Sequence, residues 1–366
     1  MIYYALAMAA TLILCYYHTT TYSLANGAVA KSFSSLKATF IVLLPLLFIL
    51  AFRWNVGADS LYKSSYWEAY HASMDSVNSR DFELGFFWFM RLLAVLELPY
   101  FWFLFVHALL FMSFIIYAFY KGSVSTGWSI LVFFLLAVYF DCFSSLRQSL
   151  AEALSLVAWA NMGYIKKTRQ KDLGIVLLFL IASMFHSTAL INIPVYLISR
   201  LHFSRDGLLK ISIYSILAYP VLQALLRFSM KLISGDAYTF MGVARINAIM
   251  TFIIASVCWY FYDEISALDD NAYMYVNQAI LIFILILNSG AMYLPFRVFD
   301  MLKIGYIFII PYLLRAIPNK RFRLLGQCTA LLIFGAWFFN FFYLQDSFVA
   351  NYQMVFSDWQ TIIHLP

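Results

Sequence analysis

The sequence predicts an all-α fold: a polytopic integral membrane protein of about twelve transmembrane helices plus one re-entrant or interfacial segment. Three observations predict it. Hydrophobic residues make up 64% of the 366 and charged residues only 11%, more apolar surface than a soluble domain of this length buries. Apolar windows recur along the whole chain at lengths suited to a bilayer about 30 Å thick. Short basic clusters directly follow several of these windows, as they do in loops held on the cytoplasmic side.

The windows fall at residues 2–17, 36–52, 84–98, 100–120, 127–143, 145–165, 173–186, 187–200, 211–229, 246–262, 273–289, 296–316 and 324–343. The first lacks a basic leader and a small-residue cleavage site, so it reads as a retained span beginning outside. The window at 84–98 is short and carries Arg91 and Glu97, which makes it the natural segment to lie in the interface or re-enter. With that assignment, Lys31, Lys37, Lys121, "KKTRQK" (Lys166 to Lys171), Arg200, Arg205, Lys210, Arg315 and "NKRFR" (Asn319 to Arg323) share the cytoplasmic face. One loop, "DEISALDDN", is acidic on that face, and acidic residues weigh little in the rule. No linker, repeat or low-complexity stretch divides the chain, so residues 1–366 read as one domain. The opposite face receives the polar loop 53–84, with a short amphipathic helix, and a polar tail, 344–366.

Composition also excludes several classes. The net charge of +6 is scattered in loops and forms no basic stripe for nucleic acid. Four cysteines stand in apolar stretches without metal-ligand spacing, so neither a disulfide framework nor a zinc site is expected. There is no phosphate-binding glycine loop, no G-x-S-x-G elbow and no acidic metal motif on the outer face, so no cofactor and no metal are expected.

The chemistry concentrates in polar residues at the outer ends of spans. In "DCFSSLRQSLAEALS", Ser145, Gln148, Glu152 and Ser155 make one polar stripe at helical spacing, with Arg147 offset from it near the rim. A guanidinium stays charged and offers a rigid fork of donors, which suits two phosphate oxygens; the alternative is a structural pair of Arg147 with Glu152 or Asp141. His186, in "FHSTAL", stands at the outer end of the next span, where it can meet Arg147. There it can take a proton from a hydroxyl or bond a phosphate, or it can simply bond a neighbouring carbonyl. In "FRWNVGADSLYKSSYWEAY", Gly57 allows a turn, Asp59 can cap a short helix, and Tyr62, Tyr66 and Tyr70 recur at four-residue spacing. Those tyrosines can stack on sugars or sit in an interfacial aromatic belt, while Arg53 and Asp59 offer polar contacts. Arg297, in "YLPFRVFDMLK", begins a late outer span with Asp300 as a possible local partner, and Arg245 lies in a short outer loop. An arginine is costly in lipid, so each of these faces protein, water or an anion.

Taken in order, "R-x-x-x-G-x-D-x-x-Y" (Arg53, Gly57, Asp59, Tyr62), "R-Q-x-x-A" (Arg147, Gln148, Ala151), the basic turn and "F-H-x-x-A-L" (Phe185, His186, Ala189, Leu190) resemble bacterial O-antigen and exopolysaccharide polymerases of the Wzy/EpsG-like type. The likeness is densest from Arg53 to Tyr196 and loose in the last third, where a closing Pro-Tyr pair is replaced by "TIIHLP". It implies a metal-independent glycosyltransferase of GT-C-like architecture in the bacterial plasma (inner) membrane, working on the outer face. The implied donor and acceptor are both undecaprenyl-diphosphate-linked glycans, with undecaprenyl diphosphate leaving. A chain-length regulator and a flippase of the same pathway are the implied partners, besides the lipid bilayer. On this reading Arg147, with Arg53 or Arg297, holds the diphosphate, and His186 activates the acceptor with Asp59 as rival base. Glu152 supports Arg147, while Gln148, Tyr62, Tyr66 and Arg245 contact the substrate. An O-antigen ligase uses the same donor chemistry. A lipid-linked oligosaccharide flippase would instead line a central cavity with its cations, and a membrane O-acyltransferase would not need several outward arginines.

Overall fold

The computed structural model describes residues 2–23, 29–33, 35–61, 64–72, 82–162, 169–234, 245–288, 294–344, 352 and 354. They are overwhelmingly helical, as the sequence predicts. The one sheet among the described residues is a two-stranded pairing of β1 (Thr19–Ser23) and β2 (Val29–Phe33), which the sequence reading did not include. The chain divides into two compact units, one formed by Met1–Tyr22, Lys31–Leu190 and Phe334–Pro366, the other by Ser23–Ala30 and Ile191–Ile333.

In the first unit, α1 (Ile2–His18) packs along α2 (Leu36–Ala51), which Ser35 starts by accepting the Ala38 amide at 3.1 Å. The polar loop beyond α2 holds a 3₁₀ turn (Ala58–Ser60) and α3 (Ser65–His71). The expected short helix is therefore present, but its cap is Ser64, whose Oγ accepts from Trp67 N at 3.3 Å, and not Asp59. Next come α4 (Leu84–Ala94), α5 (Tyr100–Gly122), α6 (Thr126–Leu135), α7 (Val138–Ser144), α8 (Leu146–Met162) and α9 (Arg169–Ser183). Eleven residues in α4 rise only about 17 Å, too short for a bilayer crossing. Two breaks shape this region: Ala137 takes a left-handed conformation (φ 55°) between α6 and α7, and Ser145 leaves helical geometry between α7 and α8. Fifteen of the seventeen residues of α8 are buried, so its polar stripe faces the interior of the unit between α5 and α9. Small residues such as Ala151, Ala153, Ala158 and Ala160 permit that close packing.

The second unit gathers α10 (Asn192–Ser199), α11 (Arg205–Ser234), α12 (Arg245–Tyr260), α13 (Tyr262–Ser266), α15 (Leu294–Lys303) and α16 (Tyr306–Ala316) around α14 (Tyr273–Asn288). Asn277 of α14 ties the end of α10 by donating to Ser199 O (2.8 Å) and Leu201 O (2.9 Å). The last helix, α17 (Lys320–Phe339), runs into a π-helical turn through Leu344.

Among the described residues two helices, Tyr100–Gly122 and Lys320–Phe342, are long and apolar enough to cross a membrane, and α6 with α7, bent by 43°, would make a third. The sequence reading counts about twelve crossings from apolar windows. Several windows prove shorter or interrupted as helices. Window 296–316, for instance, breaks at Ile304–Gly305, and 187–200 begins as a 3₁₀ segment, Ser187–Ile191.

Candidate functional site

The α7–α8 joint organises the polar residues of the first unit. Gly57 sits against it with φ 86°, and a Cβ there would collide with the carbonyl of Phe143. Only glycine combines that backbone with that approach. Ser60 Oγ then donates to Phe143 O at 2.9 Å. Asp59, held between them, accepts the Leu146 amide on Oδ2 at 3.2 Å. Asp59 is thus a helix cap after all, but of α8 and from 87 residues away. A carboxylate at this position satisfies an otherwise orphaned amide and complements the positive end of the helix. His107 of α5 fixes the same turn by donating from Nε2 to Leu146 O at 2.8 Å.

Arg147 follows directly and is thereby aimed. Its Nε donates to the Tyr66 hydroxyl at 2.8 Å and its Nη1 to Glu83 Oε2 at 2.7 Å, with the guanidinium 5.5 Å above the Phe82 ring. Tyr66 passes its own hydroxyl hydrogen to Asp59; burial, and then the Asp59 charge, push its phenol well above the ordinary tyrosine range. The fork of Arg147 is therefore held by a neutral donor–acceptor and by a carboxylate.

Glu83 is the residue the sequence reading missed. Its Oε2 takes Arg147, while its Oε1 lies 3.4 Å from His186 Nδ1 and 3.3 Å from the amide of Ser187. The chain brings them together because α4 starts against the end of α9. The amides of Gly85 and Phe86 donate to Met184 O at 2.8 and 3.3 Å, and at Gly85 a side chain would press on Met184. His186 is almost fully buried, and its Nδ1 also lies 3.4 Å from the amide and 3.3 Å from the hydroxyl of Thr188. Arg147 and His186, expected to approach each other, share one carboxylate.

Other expectations are placed differently. Gln148 Nε2 donates to Glu152 Oε1 at 2.8 Å inside the unit, so Glu152 serves Gln148, and the carboxylate that meets Arg147 is Glu83. The reason is geometric: Glu152 lies on the buried face of α8, whereas Arg147 lies on its rim. Arg53 is fully buried. Its Nη1 donates to Leu50 O at 3.1 Å and its guanidinium lies 5.3 Å from the Phe143 ring centroid. Among the described residues its Nε and Nη2 have no hydrogen-bond partner, and its backbone bridges Met354. Tyr70, like Tyr66, packs its ring inward and donates to Leu98 O at 2.9 Å; neither forms an open stacking face. Tyr62 lies outside the described residues, as does the tail beyond 344 apart from Tyr352 and Met354. Arg245 opens α12 in the second unit, with its side chain outside the described set. Arg297 lies half-buried on α15 of that unit, where Asp300 pairs with Lys303 at 2.8 Å. No three of His, Cys, Asp or Glu gather into a metal-holding group among the described residues.

A largely helical structure with membrane-length apolar helices, carrying a cation–carboxylate–histidine cluster at a helix joint, defines the class of an integral membrane protein with a polar cluster at one end of its helices. A family model described as the EpsG family matches residues 37–354, and the chain belongs to that family of Wzy-like polymerases. It is accordingly an integral membrane protein of the polysaccharide polymerase class. No curated protein and no solved structure matches the chain.

Proposed function

We propose that this protein is a glycosyltransferase that joins undecaprenyl-diphosphate-linked oligosaccharide repeat units into O-antigen or exopolysaccharide. It would act on the outer face of the bacterial inner membrane, without a metal. The observation that carries the reading is the convergence of Arg147 and His186 on Glu83 at the α8 N-terminus. An anion-binding fork and a proton acceptor then stand at one place. The acceptor hydroxyl gives its proton to His186 and its oxygen bonds the anomeric carbon of the donor. The bond from that carbon to the diphosphate breaks, and undecaprenyl diphosphate leaves with the electron pair. Arg147, at 24% side-chain exposure, is open enough to receive the diphosphate. Of the two arginines read as its helpers, Arg53 lies in the same unit, and its Nε and Nη2 make no hydrogen bond among the described residues. Cationic donors preorganised around a leaving diphosphate lower the barrier where its charge develops.

The roughly twelve crossings and a GT-C-like architecture belong to this reading, with the shorter helices met by local thinning of the bilayer or paired end to end across it. So do a flippase and a chain-length regulator as pathway partners. The test is purified protein in vesicles with a lipid-linked repeat unit, and no nucleotide sugar or metal. A ladder of polymer is expected. Unaltered substrate that changes leaflet would replace the enzyme by a transporter, and transfer only onto a lipid A core acceptor would replace the polymerase by a ligase.

A further inference from the structure

We infer that Glu83 is a positioning residue of this site: it closes on Arg147 while the site is empty, and once a diphosphate takes Arg147 it serves His186. The inference rests on the glycosyl-transfer reading above. The geometry is a carboxylate whose Oε2 accepts from a guanidinium at 2.7 Å, while its Oε1 accepts the Ser187 amide at 3.3 Å and lies 3.4 Å from an imidazole Nδ1. The pair is not sealed: Glu83 retains 20% side-chain exposure and Arg147 24%, while His186 retains 7%. A partly exposed ion pair is worth little in net terms, so an incoming diphosphate can outcompete one carboxylate for the fork.

Loss of Arg147 leaves Glu83 anchored from both directions of the chain. Backbone bonds from Gly85 and Phe86 to Met184 hold its helix start beside His186, and the Ser187 amide holds Oε1. The carboxylate is then free to accept a proton-bearing Nδ1, which fixes the imidazole tautomer and leaves the ring's other nitrogen as the base. When that nitrogen takes the proton of the acceptor hydroxyl, the imidazolium is balanced by Glu83; the proton later passes to water. In the empty site Arg147 draws on the same charge, and Thr188 N–H, 3.4 Å from Nδ1, favours the opposite tautomer. Substrate arrival would thus switch the base on. The charged and titratable groups facing Glu83 among the described residues are Arg147 from α8 and His186 after α9, with Tyr66 of α3 and Asp59 behind Arg147.

The test compares wild type with Glu83→Gln and Glu83→Asp, using the ladder assay and the titration of His186 read by NMR of imidazole-labelled protein, assigned with His186→Asn. Glu83→Gln is expected to lower kcat about a hundredfold, the scale of general-base assistance, with KM unchanged or lower. The acidic limb of its pH profile should move to lower pH, because a carboxylate beside an imidazole favours the protonated ring. Glu83→Asp should recover part of kcat and restore the limb. In the NMR titration His186 should protonate at higher pH in wild type with undecaprenyl diphosphate bound than in wild type alone, and lowest in Glu83→Gln. A raised KM with an unmoved pH profile, full activity in Glu83→Gln, or a His186 titration indifferent to position 83 would each overturn the inference. A wild type that makes no ladder yet shows the diphosphate-dependent titration would instead remove the glycosyl-transfer reading and leave the carboxylate exchange standing.

Discussion

Arg147 and Arg53 both stand by the α7–α8 joint, but in contrasting surroundings. Arg147 is about a quarter exposed and bonded to Tyr66 and Glu83. Arg53 is fully buried, bonded to one backbone carbonyl and lying by the Phe143 ring, with two nitrogens unbonded among the described residues. A partnered, accessible cation can exchange one anion for another at little net cost. A buried and under-bonded cation lowers stability by leaving donors desolvated. In the proposed reaction the first arginine recognises the diphosphate and the second waits for charge to develop on it.

The sharpest way to break this contrast is Arg53→Met. An apolar side chain of similar length in place of a buried, under-bonded charge is often neutral or stabilising. Polymer synthesis is therefore expected to fall at least about a hundredfold, roughly 2.7 kcal/mol of barrier, while the thermal midpoint holds or rises. A lowered midpoint with normal synthesis would make Arg53 a structural residue. Arg147→Lys comes next. It keeps the charge but cannot bond Tyr66 and Glu83 with one planar fork, so a loss of about ten- to a hundredfold is expected, mainly as altered polymer length and slower turnover. A near-normal length distribution would count against Arg147 as the diphosphate fork. The smallest change is expected from Asp59→Asn. Because Asp59 caps α8, an asparagine oxygen still accepts the Leu146 amide, and activity should stay within about threefold of wild type. A collapse of kcat in that variant, with the protein folded, would transfer the base role from His186 to Asp59.

Much of this is legible in the sequence. Apolar content gave the all-helical membrane class, and the boundary between windows 127–143 and 145–165 marked the joint at Ser145. Arg147, His186 and the turn at Gly57 stood out because a charge, a lone histidine and a glycine are each costly or special beside an apolar run. Glu83 did not stand out. It ends a polar loop in which a carboxylate is unremarkable, and its partners lie 64 and about 100 residues further on, so only the folded contact of Gly85 with Met184 reveals it. Asp59 was legible as a helix cap but not as the cap of a distant helix, because local spacing favours the nearest helix start and Ser64 already occupied it. Glu152 looked like the partner of Arg147 since five residues separate them, yet helical geometry puts such positions on different faces; Gln148, four residues away, is the neighbour that bonds it.

In the proposed reaction the carrier's diphosphate replaces Glu83 on Arg147. A structure of the protein in a lipid bilayer with undecaprenyl diphosphate bound tests this directly. Phosphate oxygens are expected within hydrogen-bond distance of the Arg147 fork, with the Glu83 carboxylate turned fully to His186. Diphosphate seated elsewhere, with the Arg147–Glu83 pair still closed at its 2.7 Å separation, would contradict it.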